Sequence, residues 1–252
     1  MVRCIDVSKR FGSREVYEGL FLEVYRGEIL ALLGRSGSGK SVLLKLLLGL
    51  MRPDRGAILV NGTDIVQLSE RQLADVRRGI GMVFQAGALF DSLTVYDNIA
   101  YGLQEHLRWP KARIRDRVRE VLEAVDLRGV EDMLPGELSG GMRKRVAVAR
   151  AIAPGPELLL YDEPTTGLDP ATARRVVDLI RSLKQRLGVT SLVVTHDVHS
   201  VFRVAERLAL IGGGRLAWSG EISEARRNPP AALLRFLGEG EDEEWNPPAS
   251  SP

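Results

Sequence analysis

The sequence predicts an α/β fold with an α-helical lobe inserted into it, and three observations carry that expectation. Short apolar, β-branched runs recur at Glu28–Leu33, Ala57–Val60, Ile80–Phe84, Glu157–Tyr161, Ser191–Thr195 and Leu208–Ile211, as strands covered on both faces do. From Ala86 to Pro156 that signal gives way to helical spacing, which places an all-helical segment between two parts of one sheet. A chain of 252 residues with 44% hydrophobic content is long enough to bury such a core. The boundaries follow: an α/β core over about 1–85 and 157–237, a helical subdomain over about 86–156, and a tail from 238.

The first core run leads into Gly34-Arg35-Ser36-Gly37-Ser38-Gly39-Lys40-Ser41, with a helix predicted over Ser41–Leu50 and Val42 in its first turn. This matches G-x-x-x-x-G-K-[ST], and its strand-then-helix setting is the one a phosphate loop requires. Glycines let the backbone N–H groups wrap an anion, and the helix N-terminus adds partial positive charge. Lys40 can then reach the β- and γ-phosphates, and the Ser41 hydroxyl is placed for Mg²⁺.

In the lobe, Ile114, Val118, Val121, Leu122 and Val125 share one face of a helix predicted over Pro110–Leu127. The run Leu158–Tyr161 ends in Asp162 and Glu163, a carboxylate pair suited to holding a metal through water and to polarising an attacking water. A helix predicted over Pro170–Leu187 buries Ala173, Val176, Val177, Ile180, Leu183 and Leu187, with Pro170 in its first turn.

Lys and Arg total 35 against 33 Asp and Glu, so charge argues neither for nor against a polyanionic partner. Cys4 is the one cysteine and cannot form an internal disulfide, which fits a reducing compartment. The greasiest stretch, Val42–Met51, is short of the roughly 20 apolar residues a membrane helix needs and carries Lys45. The N-terminus lacks a signal core and a transit pattern, so the chain is expected to stay in the cytosol. After Leu237 the sequence GEGEDEEWNPPASSP is acidic and Pro/Gly-rich, and is expected to be disordered alone.

Leu138-Ser139-Gly140-Gly141-Met142, followed by Arg145 and later by Asp162 and Glu163, resembles the signature motif of ABC ATPases, a branch of the P-loop NTPases. Physically it is a second anion site, a small hydroxyl and free amides opening a helix over Met142–Ala153. The resemblance implies an ABC ATPase core with a small antiparallel β region and the inserted helical subdomain. It also implies Mg²⁺ as cofactor and a head-to-tail dimer, in which ATP lies between the phosphate loop of one subunit and the signature of the other.

The family's other landmarks fall in order over residues 2 to 225. Phe11 resembles the adenine-stacking aromatic, with core packing as its alternative. Gln85 resembles the Q-loop glutamine that contacts magnesium and the attacking water; a turn-capping role is the other reading. Asp169 resembles the D-loop aspartate and also suits a helix N-cap before Pro170. His196 resembles the switch histidine at the γ-phosphate. Glu163, His196 and Gln85 are thus the expected catalytic residues, and Ser41, Gln85 and Asp162 the expected metal contacts.

DNA-repair members insert long coiled coils before the signature, and no sustained heptads occur from Ser41 to Leu138. Translation factors pair two ATPase domains in one chain, where this chain has one set of motifs. A transporter subunit with no nucleic-acid partner is therefore expected, lying peripherally on the cytoplasmic face of the inner membrane beneath a transmembrane permease. Met142, Ser41–Lys45, Gln85–Phe90 and Val95–Ala100 resemble the ATPases of Mla/Mce-type phospholipid transporters. That resemblance implies an MCE-domain lipid-binding partner and a STAS-domain partner; an amino-acid or other solute importer and a soluble ATPase are the alternatives. The apolar segment Ala86–Tyr101, with Leu89, Phe90 and Tyr96, is the expected permease-docking surface.

Overall fold

The computed structural model describes residues 1–238, so the tail expected to be disordered lies, apart from Gly238, outside the described residues. Two long strands come first, β1 (Val2–Phe11) and β2 (Arg14–Val24), followed by β3 (Ile29–Leu33), α1 (Lys40–Leu47), β4 (Arg55–Val60), β5 (Thr63–Asp64), α2 (Glu70–Arg78) and β6 (Ile80–Val83). Three helices then run with no strand between them, α3 (Val95–Glu105), α4 (Lys111–Ala124) and α5 (Gly140–Ile152). β7 (Leu158–Asp162), α6 (Pro170–Leu187), β8 (Thr190–Thr195), α7 (Val198–Val204), β9 (Arg207–Gly212), β10 (Arg215–Glu221), α8 (Ile222–Arg227) and α9 (Ala231–Leu237) complete the described chain.

The strands form two sheets. The smaller is antiparallel, ordered β2-β1-β4-β5, and the larger is ordered β10-β9-β3-β8-β7-β6 with β10 as its antiparallel edge. Alternate residues of the central strands feed two separate cores. Ile29, Ala31, Leu33, Leu159 and Tyr161 face α5, α6 and the helical lobe, while Leu30, Leu32, Leu158 and Leu160 face α1 and the antiparallel sheet. Both faces are covered, which is why these strands read as continuous apolar runs rather than alternating ones.

The helix over Pro170–Leu187 has the bounds its spacing predicts, capped by Asp169 at one end and by left-handed Gly188 at the other. Leu187 departs from expectation and is 48% exposed in the last turn before Gly188, and Ala173 in the first turns is only half-buried. Four other differences have physical causes. Ala57–Val60 belongs to β4 of the antiparallel sheet, not to the parallel core. β1 and β2 escape the run criterion because one face is polar and their pairing carries register shifts after Cys4 and Val7. α1 ends at Leu47, three residues before Leu50, as Gly49 turns left-handed. α5 begins at Gly140 rather than Met142, since Ser139 accepts a hydrogen bond from the Met142 amide and caps the helix.

Cys4 points into the core from β1, and burial pushes its thiol from 9.0 up to about 12. The folded state therefore favours the protonated thiol, a contribution intact below pH 9 and lost as pH rises from there toward 12. At pH 8.5 the native protein should resist iodoacetamide over hours and be alkylated once in denaturant, with mass spectrometry as the readout.

Candidate active site

Register decides where the chemistry gathers. Leu33 lies opposite Thr195, and Asp162 opposite Val194, so parallel strands β3, β8 and β7 end at one level. The loops leaving those carboxyl ends share one crevice, the usual ligand position in open α/β sheets. A cavity of about 970 Å³ opens there, lined by Phe11, Arg35, Ser36, Gly37, Gly39, Lys40, Ser41, Val42, Gln85, Glu163 and His196 among others.

The phosphate loop is braced from the antiparallel sheet. Tyr17 of β2 donates its hydroxyl to the Gly39 carbonyl at 2.7 Å, and Arg14 donates to the Gly37 carbonyl at 3.0 Å. Gly39 has φ +96°, and a Cβ there would lie 2.5 Å from Val16 Cγ1, so only glycine fits. Ser38 Oγ is buried in the loop with no hydrogen-bond partner among the described residues.

Lys40 is 7% exposed and donates to the carbonyls of Gly34 at 2.7 Å and Arg35 at 3.1 Å. Its ammonium is also 3.4 Å from Glu163 Oε1. The other oxygen of Glu163 accepts from Thr195 Oγ1 at 3.0 Å and lies 2.9 Å from His196 Nδ1. Burial alone would raise the Glu163 carboxyl, but hydrogen bonding and charge from His196, with Lys40 and Thr195, hold it below the usual value. Glu163 has φ +48°, a strained conformation for a side-chain-bearing residue that aims its carboxylate into the crevice.

Asp162 behaves oppositely. Burial raises its carboxyl, against the hydrogen bond that Ser41 Oγ donates to Oδ1 at 3.3 Å. Two hard oxygens thus sit side by side at the cavity edge, and a divalent cation there would hold Asp162 ionised. Among the described residues no cluster of three or more His, Cys, Asp or Glu forms a self-sufficient metal site. An ion that arrives with a phosphate ligand and needs few protein oxygens is what this donor set suits.

Not every predicted residue converges. Ser139, Gly140, Gly141 and Met142 line no part of the cavity, and Asp169 caps α6 by accepting from the amides of Ala171 and Thr172, both at 3.0 Å. Gly141 is needed for packing as well, since a Cβ would lie 2.5 Å from Thr172 Cγ2. Phe11 is 45% exposed at the cavity wall rather than in a core. Arg14, Tyr17, Phe236 and Leu237 join the site from afar and carry no local sequence signal. Thr195, directly before His196, was within reach of the strand-end argument.

Residues 17–166 match the family model described as ABC transporter. The chain is 42% identical over 237 residues to the intermembrane phospholipid transport system ATP-binding protein MlaF of Haemophilus influenzae, covering 94% of this chain and 90% of that protein. It is 44% identical over 231 residues to the probable ribonucleotide transport ATP-binding protein mkl of Mycobacterium leprae, covering 92% and 67%. Its fold is similar to the dimeric structure of an ATP-binding cassette in a post-hydrolysis state bound to ADP and Pi, with TM-score 0.80, 31% identity, and coverage of 88% and 99%.

Lys40→Ala removes the one ammonium in the loop and should weaken binding of a fluorescent ATP analogue by roughly 10- to 100-fold, the range for a lost charge-assisted hydrogen bond. Unchanged affinity in a folded variant would place the nucleotide elsewhere. Glu163→Gln keeps the shape and removes the proton acceptor, so turnover should drop about 100-fold or more while ATP still binds. Steady-state phosphate release checks it, and near-normal turnover would remove Glu163 from the role of base.

Proposed function

The chain belongs to the ABC transporter family, and from that premise we propose that its ATPase activity energises phospholipid transport from the cytoplasmic face of a membrane. It binds and hydrolyses ATP as the ATP-binding subunit of a transporter. The observation that carries the mechanism is the meeting of Lys40, Ser41, Glu163 and His196 around one cavity, with Asp162 bonded to Ser41 at its edge.

In this reading Phe11 receives the adenine, and the amides of residues 34–41 receive the phosphates. Lys40 leaves the Gly34 and Arg35 carbonyls for the β/γ-phosphates, which frees Glu163 of its nearest cation and strengthens it as a base. Glu163 then takes a proton from the attacking water, and His196 donates a hydrogen bond to the γ-phosphate. Ser41 Oγ, Asp162 and Gln85 would hold Mg²⁺, which supplies charge neutralisation on the phosphates when bound.

The capped N-terminus of α5 lies outside the subunit's own cavity. A second copy arranged head to tail would bring Ser139–Met142 to its phosphates, and Asp169 would lie at that interface. Among the described residues no helix is long and apolar enough to cross a membrane, so the subunit would act from the surface through a permease.

Phospholipid as cargo is supported by the 42% identity to MlaF over nearly the whole chain. An MCE-domain lipid-binding protein is the partner expected beyond the permease, with a STAS-domain protein to be sought in the purified assembly. The co-purified transporter in vesicles should move a fluorescent phospholipid when given ATP. ATP-driven uptake of ribonucleotides, without lipid movement, would overturn the phospholipid reading.

The docking surface is more confined than Ala86–Tyr101. Leu89 and Tyr96 pack partly into the lobe's core, while Phe90 and Tyr101 stand 47% and 46% exposed with ring centroids 5.3 Å apart. Buried Asn98 holds the backbone of Phe90 by accepting from its amide at 2.8 Å and donating to the carbonyls of Phe90, Leu93 and Thr94. Phe90→Asp, rather than a change at Leu89, should abolish co-purification with the permease through loss of an aromatic anchor of about 2 kcal/mol or more. ATP affinity and thermal unfolding of the isolated subunit should not change.

A further inference from the structure

Lys144 lies on α5 two residues beyond Met142, and only 7% of it is exposed. Its ammonium donates to the main-chain carbonyl of Gln85, and Asp162 and Glu163 are the acidic groups whose charge it feels. Desolvation lowers its pKa against the pull of those carboxylates. Burying an ammonium costs several kcal/mol unless it is well partnered, so a long cation is an expensive choice for an ordinary packing position. Further along α5, Arg150 donates to the carbonyls of Gly87 at 3.0 Å and Ala88 at 2.7 Å. Ala88 itself is held at φ +50°. One helix therefore grips three carbonyls within residues 85–88, where the chain passes from β6 to the helical lobe.

We propose that Lys144 is a positioning residue for hydrolysis: it fixes the backbone of Gln85 so that the glutamine side chain is aimed at the metal and the attacking water. Because its anchor is the helix capped by Ser139, any shift of that helix end is carried directly to Gln85. This rests on the reading of Gln85 as a contact for metal and water. Arg150 holds the following turn and leaves Gln85 itself to Lys144.

The test is phosphate release by the co-purified transporter as free Mg²⁺ is varied, for Lys144→Met, Lys144→Gln, Lys144→Arg, Gln85→Ala and the Gln85→Ala/Lys144→Met pair. The Met and Gln variants remove the reach to the carbonyl with an apolar and a polar side chain, so thermal unfolding selects whichever one folds as wild type. That variant should need about tenfold more Mg²⁺ for half-maximal rate, the usual scale for losing a group that orients a metal contact. Affinity for ATP analogue should be unchanged, and Lys144→Arg should restore most of the loss. Adding Lys144→Met to Gln85→Ala should cost little more, since both act through one side chain. A wild-type Mg²⁺ requirement without Lys144, or effects that multiply in the pair, would overturn the proposal while leaving Gln85 in its role. A Gln85→Ala variant with wild-type behaviour would instead remove the role of Gln85, and the positioning role with it.

Discussion

The contact between Lys40 and Glu163 is the constraint on which the rest of the site depends. Both side chains are at most 10% exposed, so each charge needs close partners: Lys40 has the Gly34 and Arg35 carbonyls besides Glu163, and Glu163 has Thr195 and His196 besides Lys40. Lys40 enters from the loop after β3 and Glu163 from the end of β7, with β8 between them in the sheet. Their 3.4 Å separation therefore requires β3, β8 and β7 to end at the same height. Thr195 and His196, at the end of β8, complete the ring around the carboxylate. Lys40, after His196, is one of the charges that hold the Glu163 carboxyl below its usual value, so moving either would raise it.

Rigidity around that pair comes from different layers of the fold. The antiparallel sheet reaches over the phosphate loop through Arg14 and Tyr17, so loop geometry does not rest on its glycines alone. The helical lobe holds the other side through α5, whose cations fasten the segment after β6. α5 also packs closely on α6 at Gly141 and Thr172. The exposed Phe90–Tyr101 pair lies a short stretch of chain beyond Gln85 at the cavity wall, with the Gly87 and Ala88 carbonyls between them held by Arg150.

The two glycine-rich helix starts, α5 capped by Ser139 and α1 without a side-chain cap, have separate destinations. α1 starts inside the cavity and α5 starts away from it, although both follow glycine-rich segments. Within one subunit, therefore, the two glycine-rich helix starts do not face the same cavity.

Local chemistry was legible in the residues alone. The phosphate loop, the carboxylates at 162 and 163, the Asp169 cap and the α6 helix are each set by neighbours within a turn or a strand, where spacing and capping act directly. The two-part α/β core around a helical insertion was legible for the same reason, since buried parallel strands and amphipathic helices leave different periods. Tertiary structure decided what depends on distant segments meeting. The assignment of residues 55–60 to the antiparallel sheet depends on partners in β1, and the exposure of Phe90 but not Leu89 on how the lobe closes over its own core. The bracing by Tyr17, the grip of Lys144 and the confinement of Glu163 join residues at least 22 positions apart. No periodicity in a single sequence carries such contacts, because they arise only when strand register and helix packing fix both ends in space.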